Sequence, residues 1–172
     1  DLGEQFMLTQ IINGKILTPQ GWLEEGSVLI SDGKILEVTN SDLAVIGAKV
    51  IDAKGMYIVP GFVAMNVHGG GGHNFKECTE EAFRTAVAAH LKHGATTIFP
   101  TLSSLPIESI YKAVSICEKL MAERNSTVLG LHIEGPYLNP KMAGSLYEVK
   151  NPDKEEYLPL LESTNCIKRW DV

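Results

Sequence analysis

The chain has 172 residues, enough for one domain or for one domain and part of another. Its hydrophobic content of 44% suits a globular core, and its net charge of −6 argues against a nucleic-acid surface, which needs a clustered basic face. No stretch nears the ~20 apolar residues of a membrane span and no charged-then-apolar leader opens the chain, so a cytoplasmic protein without nucleic-acid or membrane partners is expected.

The first sixty residues read as all-β. "QIINGKILT" places apolar strands either side of Asn13-Gly14, and "SVLISDGKILEVT" repeats the pattern around Asp32-Gly33. Both dipeptides supply the positive φ angles of two-residue hairpin turns. "KVIDAKGMYIVPG" adds two short strands around Lys54-Gly55, giving a small antiparallel sheet.

The pattern changes at Pro60-Gly61. "FVAMNV" (62–67) is a short buried strand, followed by the glycine run Gly69 to Gly72. That run reads either as a flexible loop or as a phosphate cradle, and it lacks the lysine of a P-loop. Thr79 can cap a helix that starts with Glu80 and Glu81, carries Phe83, Val87 and Leu91 at four-residue spacing and closes at Gly94. "ATTIF" (95–99) is the next strand. Pro106 fits the first position of a second helix, whose apolar face is Ile107, Ile110, Tyr111, Val114 and Leu120. "VLGLHI" (128–133) is a third strand, and "CIKRWDV" stands where a fourth would begin. Strand centres about 33 residues apart are the mark of repeated β/α units, which imply parallel strands. The expected fold is α/β. Residues 1–60 form part of a small antiparallel β-sandwich. Residues 61–172 form the first part, about three β/α units, of a TIM-type barrel.

Active sites of parallel β/α folds lie at the carboxyl ends of the strands. Asn66, His68 and His73 follow the first strand, Pro100 and Thr101 the second, His132 and Glu134 the third. Imidazoles and a carboxylate at one mouth are metal-ligand chemistry. Each has a plainer reading. Glu134 serves equally well as an exposed loop acid and His68 as a turn residue. His132, alone, reads better as a packing or supporting residue than as a ligand. His90 and His93, at a helix end, read as structural. Cys78, Cys117 and Cys166 are odd in number, far apart and without CxxC spacing, so they read as free thiols in a reducing cytosol.

Three blocks, "VPGFVAMNVHGGGG", "GATTIFPTL" and "GLHIEGPYLNPKMAG", together resemble N-acetylglucosamine-6-phosphate deacetylase, of the amidohydrolase superfamily. The resemblance covers essentially the whole chain. It implies a distorted (β/α)8 barrel with a small β-sandwich. The reaction implied is metal-assisted removal of acetate from an amino-sugar phosphate in amino-sugar catabolism. Also implied are one divalent metal ion, zinc before iron or others, and a homo-oligomeric parent. Glu134 stands where the family's ligand glutamate stands, with His68 as a second candidate ligand. Many relatives carry His-x-His where this chain has Asn66-Val67-His68, which points to a single-metal site. Ser145 and Leu146 stand where the family contacts the sugar. The family's other ligand histidines, phosphate-binding residues and catalytic aspartate would lie beyond residue 172. No catalytic base is therefore expected within the chain, and the 172 residues alone are expected to be inactive. The alternatives are another amidohydrolase-superfamily hydrolase, or a non-catalytic half-barrel that binds a partner through its open sheet edges.

Overall fold

The computed structural model describes residues 8–41, 44–144, 146 and 149–172. These divide into two compact units, Asp1–Pro60 and Gly61–Val172.

The first unit contains β1 (Leu8–Ile12), β2 (Lys15–Thr18), β3 (Gly21–Leu23), β4 (Ser27–Ser31), β5 (Lys34–Thr39), β6 (Lys49–Asp52) and β7 (Tyr57–Ile58). Asp32-Gly33 makes the expected hairpin: both residues have positive φ, and β4 pairs antiparallel with β5 from Ser31↔Lys34 outward. Asn13-Gly14 does not. β1 pairs with β4 and β6, whereas β2 pairs with β3 and β7, so the dipeptide carries the chain from one sheet to another. Asn13 takes the left-handed conformation but Gly14 is absent from the positive-φ residues, so the two-residue hairpin turn is not formed. Gly14 sits against Ile58 instead: a Cβ there would lie 2.5 Å from Ile58 Cδ1, so that side chain would have to move. The strands around Lys54-Gly55 also go to separate sheets, β6 parallel to β1 and β7 parallel to β2. The single antiparallel sheet is thus replaced by two mixed ones, ordered β5-β4-β1-β6 and β3-β2-β7.

The second unit runs β8 (Phe62–Val67), β9 (Gly69–Gly70), β10 (His73–Asn74), a 3-10 turn (Phe75–Glu77), α1 (Glu80–Leu91), β11 (Ala95–Ser103), α2 (Ile107–Met121), β12 (Leu131–Glu134), α3 (Lys154–Ser163) and β13 (Ile167–Asp171). Four strands form one parallel sheet, ordered β13-β12-β11-β8, with a helix on each crossover. The fold is therefore mixed α/β with parallel strands. Thr79 caps α1, accepting the Ala82 N–H at 3.2 Å. The buried face of α1 is Ala82, Phe83 and Ala86, and Leu91 is exposed, so the apolar stripe is shifted from the four-residue series. In α2 the buried face is Ile110, Ala113, Val114, Cys117 and Leu120, and Tyr111 is exposed. These faces close over Leu102, Leu131 and Ile133 of the sheet, with Leu160 from α3.

The edge strand β8 leaves Phe62, Val63 and Met65 exposed. No helix among the described residues is long and apolar enough to cross a membrane.

An ion network ties α1 to α2. Arg84 bonds Glu80 at 2.7 Å and also pairs with Glu123, while Lys119 bonds Glu80 at 2.6 Å. The Lys119 and Arg84 bonds hold the Glu80 carboxyl below its usual range, and the Arg84 bond does the same for Glu123. A depressed folded pKa stabilises above the unfolded value, about 4.3, and that contribution is lost as pH falls through the folded value. The melting temperature should therefore drop as pH is lowered below about 4.5. Arg84→Met should lower the melt at pH 7 slightly and flatten this acid slope. An unchanged slope in the variant would remove the network as its source.

Candidate active site

Parallel pairing puts the carboxyl ends of β8, β11, β12 and β13 on one side, and the register aligns their last residues. Ser103 is opposite Glu134, Glu134 opposite Asp171, and Thr101 opposite His132. Asn66 and His68 arrive from the end of β8.

Around Glu134 the geometry is specific. Asn66 Nδ2 donates to Glu134 Oε1 at 2.8 Å. Glu134 Oε2 lies 3.6 Å from His68 Nε2. The opposite ring nitrogen of His68 is 2.9 Å from Ser103 Oγ, which sets the ring so that Nε2 faces the carboxylate. One oxygen of Glu134 is thus pinned by a neutral amide and the other is turned to the mouth. The Glu134 backbone is also held: its carbonyl accepts the Ser104 N–H at 2.7 Å.

A buried relay lies under this group. Val67 N–H donates to Thr101 Oγ1 at 2.9 Å, and that oxygen is 3.1 Å from His132 Nδ1. His132 Nε2 is 3.1 Å from Asp171 Oδ2. A carboxylate oxygen only accepts, so Nε2 carries the proton. Arg169 donates to both oxygens of Asp171, at 2.8 and 2.9 Å. The Arg169 bonds, aided by His132, hold the Asp171 carboxyl below its usual range. Thr101 and His132 are fully buried, so this chain of bonds fixes four strand ends from within the sheet. The loop after Glu134 is anchored to the same strand: Trp170 Nε1 donates to Gly135 O at 2.8 Å, and Gly135 N–H to Asp171 O at 3.0 Å.

His132, Glu134 and Asp171 each offer a ligand atom, and those atoms lie within 4.8 Å of one another, a set that can hold a metal ion. Imidazole nitrogen and carboxylate oxygen are both donors to divalent metal ions.

Of the other residues singled out in the sequence, His73 pairs with Glu77 at 3.1 Å. The glycine run is neither open loop nor cradle but a tight β9–β10 hairpin. A Cβ on Gly69 would lie 2.1 Å from His73 O, so only glycine fits. His90 Nε2 lies 2.9 Å from Gly69 O, a structural contact between α1 and this hairpin, and His93 N–H donates to His90 O. Leu146 N–H donates to Ala143 O at 3.0 Å, while Ser145 lies outside the described residues. Strand β11 runs on to Ser103, past the end expected at Pro100-Thr101, because Thr101 and Leu102 are buried and paired with β12. Sequence reading missed Ser103 for that reason. Asp171 escapes the sequence reading because "CIKRWDV" reads only as the beginning of a fourth strand; an acid closing a strand, as Glu134 closes β12, is the available signal.

Residues 57–170 match the Amidohydrolase family. The N-acetylglucosamine-6-phosphate deacetylase of Haemophilus influenzae is 34% identical over 137 residues, covering 78% of this chain and 35% of that protein. The crystal structure of the Pasteurella multocida N-acetylglucosamine-6-phosphate deacetylase superposes with a TM-score of 0.87 at 24% identity, over 95% of this chain and 44% of that one. A mutant of the Mycobacterium smegmatis enzyme in complex with N-acetyl-D-glucosamine-6-phosphate gives a TM-score of 0.78 at 26% identity, over 97% and 43%. The chain thus spans between about a third and a half of the length of these relatives. A match to residues 57–170, about two thirds of the chain, settles the larger question: the chain belongs to the amidohydrolase family.

Proposed function

We propose that these residues form the first portion of a deacetylase. Its reaction would remove the acetyl group from N-acetylglucosamine 6-phosphate, giving glucosamine 6-phosphate and acetate in the cytoplasmic breakdown of amino sugars. The observation that carries the proposal is Glu134, which ends β12 with one oxygen bound by Asn66 and the other turned to His68. The named activity of the matched relatives supports the substrate class. In this reading the four-stranded parallel sheet is the opening of a (β/α)8 barrel, completed by further strands, and residues 1–60 belong to a small β-sandwich.

The donor set fits a single divalent ion, zinc first among candidates. Glu134 is the chain's ligand. In this reading His132 Nε2, with its proton directed at Asp171, and Asp171, held by Arg169, orient the strand ends, while Glu134 binds the ion. His68 is the second candidate ligand, through Nε2. A divalent ion at such a mouth supplies Lewis acidity toward a carbonyl and acidifies water. The neutral Asn66 amide orients Glu134 without adding a second charge, which favours one ion over two. Ser145 and Leu146 would contact the sugar, as the resemblance to the deacetylases implies.

The test is zinc-dependent acetate release from N-acetylglucosamine 6-phosphate. Residues 1–172 alone should give none, because a catalytic zinc site takes about three protein ligands plus water. Mixed with a separately expressed C-terminal portion of the barrel, the chain should turn over. Turnover by residues 1–172 alone would contradict the division of the site between the two portions.

A further inference from the structure

The segment that follows Glu134 is held by a cluster of side chains outside the candidate metal set. Residues 136–150 leave β12 through Gly135 and return to their starting point. The Lys150 N–H donates to Pro136 O at 2.8 Å, which closes the segment into a loop with a narrow neck. Between the ends the chain turns on itself: Met142 N–H bonds Asn139 O at 2.8 Å, and Leu146 N–H bonds Ala143 O. Three side chains tie the neck to α3. Lys150 Nζ bonds both oxygens of Glu156, in the first turn of α3, at 2.7 and 2.6 Å. Glu156 Oε2 also accepts the Tyr137 hydroxyl at 3.1 Å. Tyr137 is buried, with its ring stacked on Trp170 of β13 at 5.6 Å between centroids and met edge-on by Tyr157 at 6.0 Å. The Lys150 ammonium lies 5.9 Å from the centre of the same ring, within reach of its negative face. The Lys150 bond holds the Glu156 carboxyl below its usual range, and burial pushes the Tyr137 phenol up. Near neutral pH the carboxylate is therefore charged and the phenol keeps the proton it donates.

We propose that Tyr137, Lys150 and Glu156 are positioning residues that set the shape of the 136–150 loop and, through it, the affinity of the strand-end site for substrate. The inference rests on the deacetylase reading, in which Ser145 and Leu146 of this loop would contact the sugar. A phenylalanine at 137 would fill the same aromatic stack. The hydroxyl adds a bond to the carboxylate that also holds the far end of the loop, so one acid gathers both ends. An exposed ion pair alone contributes little. Lys150, however, is held at its backbone by Pro136 and at its side chain by Glu156, so the pair and the neck form together. A loop whose ends are fixed in this way loses less conformational freedom when a ligand orders it, which is how such a clamp raises affinity.

Two measurements separate the clamp from the reading beneath it. The first is hydrogen exchange at the Met142 and Leu146 amides of the 172-residue chain, which needs no activity. Lys150→Met should speed exchange there by about 10-fold and leave β12 unchanged, and Lys150→Arg, which keeps the ion pair, should restore protection. The second is kinetics of the chain joined to its proposed C-terminal portion. There Lys150→Met should raise KM for N-acetylglucosamine 6-phosphate about 10-fold, with kcat and zinc content within about twofold, and Lys150→Arg should recover the KM. Tyr137→Phe keeps the ring and removes one hydroxyl, so it should fold and show a smaller rise in both exchange and KM. It decides the question if Lys150→Met fails to fold. Unchanged exchange in these variants would overturn the proposal. So would a loop that loosens with no rise in KM, or a loss confined to kcat or zinc. An unsubstituted joined protein that releases no acetate would contradict the deacetylase reading instead, and exchange would still decide whether the three residues hold the loop.

Discussion

On the proposed deacetylase reading, Glu134→Gln is expected to abolish tight metal binding and to lower acetate release by at least about 100-fold when the chain is joined to its C-terminal portion. The substitution keeps shape and removes charge. Asn66 Nδ2 can still donate to the Gln side-chain oxygen, so the local fold should persist. What is lost is the anionic oxygen turned toward the mouth, 3.6 Å from His68. A neutral amide is a much weaker ligand for a hard divalent ion than a carboxylate. The measurement is zinc content after dialysis alongside turnover. Full zinc content with full turnover would remove Glu134 from the site.

Asp171→Ala is expected to destabilise the second unit by about 1–3 kcal/mol, although Asp171 is itself partly exposed. The cost comes from its partner. His132 is fully buried, and losing the carboxylate removes the acceptor that its Nε2–H bonds. For a unit of this size, that is roughly 4–8 °C of melting temperature for each kcal/mol lost. Asp171→Asn should recover much of the loss, since its side-chain carbonyl still accepts from His132. Chemical denaturation of the three proteins checks this. Equal stability of Asp171→Ala and the parent would mean that the relay does not hold the strand ends.

The parallel unit was more legible in the sequence than the β-rich one. β8 falls on Phe62–Val67 as the apolar run dictates, and α1 starts at its Thr79 cap, because both signals are local. The sequence also marked Glu134, His68 and Asn66 by their position at strand ends, and these three converge. Strand partnership in the first unit was not legible. Asn13-Gly14 and Asp32-Gly33 look alike as dipeptides, yet only the second is a hairpin. The difference lies in the partners: β1 pairs with β4 and β6 and β2 with β3 and β7, pairings that no dipeptide displays. Ser103 and Asp171 were hidden for a similar reason. Their importance comes from register with β12, and register is a property of pairing rather than of any short segment.

Anomalous X-ray scattering from the chain joined to its proposed C-terminal portion and loaded with zinc tests the central claim most directly. The account predicts a peak about 2.0–2.2 Å from a carboxylate oxygen of Glu134, with His132 still bonded to Asp171 and not to the metal. A peak coordinated by His132 and Asp171, with Glu134 beyond bonding distance, would contradict it.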